Sequence, residues 1–285
     1  MKKLIFLSLI IFVFLGCQNK NKSNDELNLP AEIAKRNIQF LNGYEYLYKF
    51  GELDRKSKFL ITVQEFDKKG NLIKELKMKR PDSIKYPIDS TLSKYDEKGN
   101  LIERTFFIQE MDFESLDYKT VTKVSKSVYK YDSSNHRIQL DMYTSGKLDS
   151  KTMYKYEDDN VISYVSYNEK GVIDGRAEYK YDGKHQIRYT YYEADNKVST
   201  RSESIWEGNV IKSKDYNEKD SVESTSSTTL DNKERMLETE YKQGDYYVKS
   251  VFGYNSWGLR VTMMDYKIPS EPESKTEFEI VEFKK

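Results

Sequence analysis

Few side chains in this 285-residue chain are suited to chemistry: two histidines, His136 and His185, and one cysteine, Cys17. Acid–base catalysis asks for a histidine beside a carboxylate or nucleophile, and a metal centre asks for ligands at fixed spacing. Both histidines instead fall in polar stretches, DSSNHR and YDGKHQ, whose composition marks chain reversals at a surface. The sequence contains no His-x-x-x-His pair, cysteine cluster, phosphate-binding loop, Gly-x-Ser-x-Gly or dinucleotide fingerprint. EDDN (157–160) is acidic but lacks the spacing and distal glutamate of a calcium loop. With 47 Asp and Glu some carboxylates must meet, yet nothing selects one pair for glycosidase chemistry. The expectation is no enzyme: no catalytic residue, no metal and no cofactor.

Cys17 is different. The chain opens with basic MKK and the apolar run LIFLSLIIFVFLG, which has signal-peptide length and is short for a membrane span. A lone cysteine forms no intramolecular disulfide, so its thiol is left for other work. Gly16-Cys17 straight after the apolar run resembles the lipobox of bacterial lipoproteins, with Phe14 where leucine is usual. The resemblance implies cleavage before Cys17, acylation of its thiol and of the new N-terminus, and attachment to the cell envelope at the outer membrane. Buried acyl methylenes contribute about 0.8 kcal/mol each, enough for stable anchoring by several chains. QNKNK after Cys17 carries no acidic cluster, so surface export is not signalled and the membrane face stays open. Residues 1–16 then form a lipoprotein signal peptide, 17–29 a lipidated tether, and 30–285 the folded domain. Removing 1–16 takes Lys2 and Lys3, so 47 − 2 = 45 basic residues face 47 acidic ones. That balance argues against nucleic acid as a partner.

The domain is a repeat. Tyr131, Tyr156, Tyr181, Trp206, Leu230 and Tyr254 open turn-like stretches at steps of 24–25, and Tyr143, Tyr167, Tyr192, Tyr216, Tyr241 and Tyr266 lie between them. Phe66 and Tyr95 head earlier copies, FDKKGNLIKE and KYDEKGNLIER, set further apart by insertions near 76–92 and 105–128. In DEKG (96–99) Asp96 suits the first turn position and Gly99 the left-handed one; in YEDDNVI, Asn160 is expected to take the glycine's place. Between turns the pattern alternates. Tyr44, Tyr46, Tyr48 and Phe50 share one face, as do Ala177, Tyr179 and Tyr181, and Ile187, Tyr189 and Tyr191. PAEIAKRNIQFL (30–41) reads as one short helix with Ile33, Phe40 and Leu41 on one side. The fold class is therefore all-β: a repeat-built antiparallel meander of roughly 14–16 strands, each of about 7–8 residues, curled into a half-barrel or barrel.

Tyr-Asp, two variable residues, Gly-Asn-Leu and alternating strand residues resemble the YD repeats of RHS-type bacterial proteins, closely at 66–73 and 95–102 and loosely after 131. Among such proteins the chain is similar to small repeat lipoproteins of unknown function. A membrane-spanning barrel is not expected, since one strand face is dense in Lys, Glu, Asp and Thr where a lipid-facing band would be. The function expected is a non-catalytic binding or scaffold lipoprotein, anchored in the membrane and meeting a glycan or protein partner through its aromatic residues. Tyr167, Tyr192, Tyr216, Trp206 and Trp257 are the candidate contacts, because phenol and indole rings stack on sugars and anchor interfaces. The alternative is a half-barrel carrier of a lipid or other hydrophobic ligand, with 30–41 as a lid.

Overall fold

A computed structural model describes residues 30–78, 89–110, 121–268 and 271–283. The expected signal peptide, the expected tether and Cys17 lie outside these residues. Helix α1 (Pro30–Lys35) leads into a long hairpin of β1 (Ile38–Lys49) and β2 (Glu52–Phe66). β3 (Leu72–Lys77), β4 (Asp89–Tyr95), β5 (Leu101–Glu110), β6 (Val121–Tyr131), β7 (Arg137–Thr144) and β8 (Lys147–Glu157) follow. Next come β9 (Asn160–Asn168), β10 (Ile173–Asp182), β11 (His185–Glu193), β12 (Val198–Glu207) and β13 (Val210–Tyr216). β14 (Val222–Leu230), β15 (Met236–Gln243), β16 (Tyr246–Tyr254), β17 (Arg260–Ile268) and β18 (Glu271–Glu282) complete the run.

Every strand pairs antiparallel with the next, and β18 returns to β1 from Ile38↔Glu282 to Leu47↔Ser274. The sheet is thus a closed 18-strand barrel of meander topology, the closed form of the expected fold. Eighteen replaces the expected 14–16 because the flanks of the presumed insertions pair: β5 meets β6 from Glu103↔Val128 to Glu110↔Val121. The helix is also shorter than expected. It stops at Lys35, Asn37 turns the chain at φ 55, and Phe40 and Leu41 belong to β1. Phe50 does not continue the face of Tyr44, Tyr46 and Tyr48; it sits in the β1–β2 turn.

The strands end on two rims. Turns after even-numbered strands form the first rim, which also carries α1; turns after odd-numbered strands form the second. Among the described residues one five-residue turn recurs on both. In Asp96–Asn100 the Gly99 N–H donates to the Asp96 carbonyl and the Asp96 N–H to the Asn100 carbonyl, while the Asp96 carboxylate accepts the Asn100 N–H at 2.8 Å. The same backbone bonds close the turns starting at Asp67, Asp132, Asn168, Glu193, Asn217, Asp231 and Asn255. The fourth residue is left-handed in each: Gly70, Gly99, Asn135, Gly171, Asn196, Asp220, Glu234 and Gly258. EDDN departs from this pattern. Glu157 pairs directly with Asn160, so the left-handed residue of that tighter turn is Asp158, at φ 51, and Asn160 starts β9.

The sheet has two unlike faces. On the concave side of a closed sheet neighbouring side chains converge and cover one another, so the more buried face is the inner one. Cross-strand partners trace that face through Tyr154, Tyr164, Ala177, Tyr179, Tyr189, Ser202, Asp215, Ser224, Asp265 and Ser274. The residues between them, such as Lys151, Glu178, Arg188, Glu203 and Lys214, face outward. Small Ser202, Ser204, Ser224, Ser274 and Thr276 are buried on the inner face beneath larger neighbours. Helix α1 closes one sector of the first rim: Ile33 is fully buried with Ile38, Leu41, Phe66 and Leu259.

A Cβ at Gly70 would sit 1.9 Å from the Pro30 carbonyl oxygen of α1, whereas one at Gly99 meets nothing nearer than Asn71 Oδ1 at 3.9 Å. Gly99→Asn should therefore leave the unfolding midpoint almost unchanged, as Asn135 and Asn196 serve the same position. Gly99→Val should cost about 1–2 kcal/mol from backbone strain, and Lys98→Val little. Gly70→Asn should destabilise far more than Gly99→Asn. Equal shifts for the two asparagine variants in thermal unfolding would mean that α1 does not pack on that turn.

Candidate functional site

The aromatic residues that the sequence singles out as contacts divide by rim and by face. The series opening the turns lies on the inner face at the first rim, and its members act as staples. Each donates to the carbonyl of the residue just past the preceding first-rim turn. Tyr95 reaches Leu72 (3.0 Å), Tyr131 Leu101 (2.8 Å), Tyr156 Arg137 (3.2 Å), Tyr181 Val161 (3.0 Å) and Tyr254 Met236 (2.8 Å). The Trp206 indole N–H does the same to Gln186 at 3.4 Å. Leu230 has no donor, and the bond is replaced from the other side: Asn209 Nδ2 donates to the Leu230 carbonyl at 2.8 Å.

In three of these turns the last residue then covers the ring of the next staple. His136 stacks on Tyr156 with centroids 4.6 Å apart, His185 on Trp206 at 3.9 Å, and the Arg235 guanidinium lies 4.6 Å from the Tyr254 centroid. These contacts explain why both histidines stand at turn exits. Sequence reasoning missed the partnership, although its signal was the constant spacing between turn exit and next aromatic. Burial pushes the Tyr131 phenol up to about 12, so it stays a donor at any physiological pH. Arg137 beside it sits among Tyr129, Tyr131, Tyr154 and Tyr156; burial opposes its charge, but the four phenols leave it raised.

His136 is the most elaborate of these residues. Its Nε2 lies 3.1 Å from Asp159 Oδ1, and its Nδ1 3.3 Å from Asp132 Oδ2. The imidazole therefore bridges two adjacent turns while lying flat on Tyr156. The Asp159 hydrogen bond and the Asp132 charge outweigh the cost of burial and raise its pKa. Two carboxylates and a histidine resemble an acid–base site. Here, however, the Asp132 carboxylate also accepts the N–H groups of Ser134 and His136, at 2.9 and 2.8 Å, and so belongs to its turn. Among the described residues no group of three or more His, Cys, Asp or Glu is placed to hold a metal ion.

A second aromatic cluster fills the inner wall between β8 and β11. Tyr154, Tyr164, Tyr179 and Tyr189 form a continuous row with centroids 5.2–6.2 Å apart, packed around Val161 and Ala177. Tyr164 and Tyr189 share a hydroxyl–hydroxyl bond of 3.0 Å, and burial raises the Tyr164 pKa steeply. The wall next to it is polar. Ser202 and Ser224 both donate to Asp215, and Ser250 donates to Asp265 at 2.6 Å, where burial raises the carboxyl pKa.

The candidate contacts are not gathered into one site. Trp206 and Trp257 lie on the first rim, Trp206 as a staple and Trp257 beneath Arg36 of the α1 end at 3.7 Å. Tyr167, Tyr192 and Tyr216 lie on the outward, charged face near the second rim, paired across strands with Lys151, Arg176 and Arg201. The Arg176 guanidinium covers Tyr192 at 3.8 Å, and Arg201 covers Tyr216 at 4.2 Å. Tyr143 and Tyr266 also face outward, opposite Lys126 and Lys249, whereas Tyr241 points inward between Ser226 and Val248.

No protein-family model matches the chain, and no curated protein does. Solved structures with related shape include a porin-like protein from Bacteroides uniformis (8% identity, 86% of this chain and 98% of that one, TM-score 0.49). Another is a porin-like protein from Bacteroides vulgatus (10% identity, 86% and 99%, TM-score 0.32). A TcdB2-TccC3 structure without its hypervariable C-terminal region is similar over 82% of this chain and 14% of that one (12% identity, TM-score 0.28). At such identities and scores, fold and function rest on this chain's own residues.

The His136 bridge sets a pH dependence. A raised folded-state pKa stabilises the barrel fully below the unfolded histidine value of ~6.5, and the contribution is lost as pH rises through the folded value. The melting temperature of the native chain, relative to His136→Phe, should therefore be higher at pH 5.5 than at pH 8.5. Phenylalanine keeps the stack on Tyr156 but cannot titrate. A difference that stays flat across that range would show that the imidazole does not bridge the two carboxylates in its charged form.

Proposed function

We propose that the chain is a lipid-anchored, non-catalytic binding or scaffold protein of the bacterial cell envelope, held at the outer membrane through Cys17 with its barrel in water. The observation that carries this reading is the outward face. It bears cross-strand ion pairs, Lys94 and Lys126 on Glu103, Arg188 on Glu203, and Lys249 on Glu238 and Glu240, with Arg201 joining Glu203 along its own strand. Arg or Lys facing lipid at mid-membrane costs about 2–4 kcal/mol each, so a barrel with such a face belongs in water. Attachment to a membrane must then come from outside the sheet, and the Gly16-Cys17 sequence offers it. The binding surface in this reading is the outward row Tyr167, Tyr192 and Tyr216. The rival carrier function would want an inner wall of Ile, Val and Phe; the Ser, Asp and Tyr residues found there favour it less.

Metabolic labelling with a fatty acid tests the anchor. The native chain should take up label and fractionate with membranes, and Cys17→Ala should take up none, there being no other thiol in the sequence. Label persisting on the variant would overturn the lipoprotein reading.

A further inference from the structure

Each first-rim turn hands the chain to an odd-numbered strand, and just inside every one of them stands a branched aliphatic residue. Ile73, Ile102, Ile138, Ile162, Ile187 and Ile211 hold that place on β3 to β13, and Leu237 and Val261 hold it on β15 and β17. Alternation turns these side chains toward the lumen, because the residue after each faces outward, as Glu103, Arg188 and Glu238 do with their ion pairs. Ile211 pairs directly with the staple Trp206, whereas the others sit in a bulge opposite a staple position. Tyr181 pairs with Gln186 and Lys180 with Arg188, for example, which leaves Ile187 as the extra residue. Phe66, Leu230 and the staples stand between the aliphatics on the even-numbered strands, the phenols bonded to backbone carbonyls. The first rim is therefore lined inside by a girdle in which rings and aliphatic side chains alternate.

The girdle is covered in one sector only. Where α1 packs beside the β1–β18 seam, Ile33, Ile38, Leu41 and Leu259 are at most 1% exposed. None of the eight aliphatics is buried in this way, and Ile102, Ile187 and Leu237 keep 36–37% of their surface exposed. Polar side chains interrupt the girdle at Arg137, Gln186 and Arg260, next to their turns. Two residues deeper the wall is already polar on four of the same strands, at Glu75, Arg104, Ser213 and Thr239. The apolar surface is thus a narrow band on the concave side of the barrel, with charged turns above it. A folded partner cannot lay a flat face there, but a flexible alkyl chain can follow the band.

We infer that this girdle shelters the acyl chains of the Cys17 anchor while no bilayer holds them. The inference rests on the lipid-anchored reading above and adds where the anchor goes in water. The length of chain outside the described residues argues for this occupant. Helix α1 begins at Pro30 on the same rim, and residues 17–29 span at most about 45 Å when extended. Eighteen strands give a circumference on the order of 85 Å and a mouth roughly 27 Å wide, so every part of the girdle lies within reach. The tether also makes binding intramolecular, at an effective concentration on the order of millimolar, so a weak site suffices. A bilayer still takes the anchor when one is present, because it buries whole chains where the girdle covers one side of them. The polar middle wall, which disfavours a carrier of free lipid, does not bear on a chain that enters only the mouth.

A palmitoyl probe with a diazirine in its chain tests the girdle and its occupant separately. The first arm uses residues 17–285 with Cys17→Ala, which contain every described contact of the barrel and carry no lipid. Irradiated below its micelle concentration, the probe should mark the peptides that bear the girdle. Ile187→Asp with Leu237→Asp should lower the yield about tenfold, as the loss of two apolar contacts implies. Methionine at both positions should restore it, and Ile205→Asp, on the outer face of the same rim, should leave it unchanged. Adducts spread over both rims, or undiminished by the two aspartates, would overturn the inference. The second arm uses the lipidated native chain, purified from membranes and freed of detergent. Its own acyl chains should exclude the probe and lower the marking of the girdle about tenfold. Equal marking of lipidated and unlipidated chains would overturn the anchor as occupant and leave free fatty acids as the ligand. A chain that takes no fatty-acid label at Cys17 removes the lipoprotein reading and this occupant with it, while the first arm still decides whether the girdle binds an acyl chain.

Discussion

The ladder between β1 and β18 is the constraint on which the rest of this structure depends. A meander in which each strand reverses can close through an antiparallel seam only when its first and last strands run in opposite directions, and therefore only with an even number. Closure gives every strand a neighbour on both sides and removes the free edges that would otherwise recruit other chains. The seam is finished at its end by Asn37, whose carbonyl accepts the Phe283 N–H at 2.7 Å and whose side chain donates back at 3.0 Å. Helix α1 packs over the same sector, so the cluster of Ile33, Ile38, Leu41, Phe66 and Leu259 lies beside the seam. Closure also creates the inner and outer faces, and with them the sorting of side chains that every functional argument uses.

A barrel of eighteen strands is too wide for one layer of side chains to fill. Stability must then come from contacts within the wall and along the rims rather than from a central core. The staples meet that need. Each joins two successive first-rim turns through a phenol or indole, and the rings of Tyr156, Trp206 and Tyr254 are covered by the residue leaving the earlier turn. A net hydrogen bond of this kind contributes about 1 kcal/mol, but its repetition around the rim couples neighbouring hairpins that share no turn. Leu230 shows what is essential. With the hydroxyl gone, Asn209 supplies the bond, so it is the link between turns that is kept and not the residue type.

Much of this was legible in the sequence, because turn chemistry and alternation are local. Asp96, Gly99 and the spacing of the first aromatic series follow from what one hairpin needs, and they fixed the repeat correctly. Three features resisted for a shared reason: each depends on register between strands. Asn160 was misplaced because a two-residue turn replaces a five-residue one there. Phe50 was assigned to a strand face because alternation cannot show where a hairpin ends. Neither spacing nor composition reveals on which side the second tyrosine series lies, since turn lengths and bulges such as those at Tyr143 and Tyr192 decide it. The candidate site suffered most. Trp206 and Tyr192 look alike in sequence yet stand on opposite faces and at opposite rims.

The outward charges have a use besides solubility. Exposed ion pairs contribute little to stability. They can still fix register, because a one-residue slip in a sheet moves every side chain to the other face. In this barrel a slip would carry Lys126, Glu203 or Lys249 into the tyrosine- and serine-lined interior and expose Tyr179 and Tyr189. The penalty for burying unpaired charge is much larger than the gain from any pair on the surface. A repeat built from near-identical hairpins is otherwise prone to such slips, since one copy of the turn can stand in for the next. The charged face therefore works chiefly against wrong sheets, and the staples, whose donors and acceptors align in a single register, work for the right one.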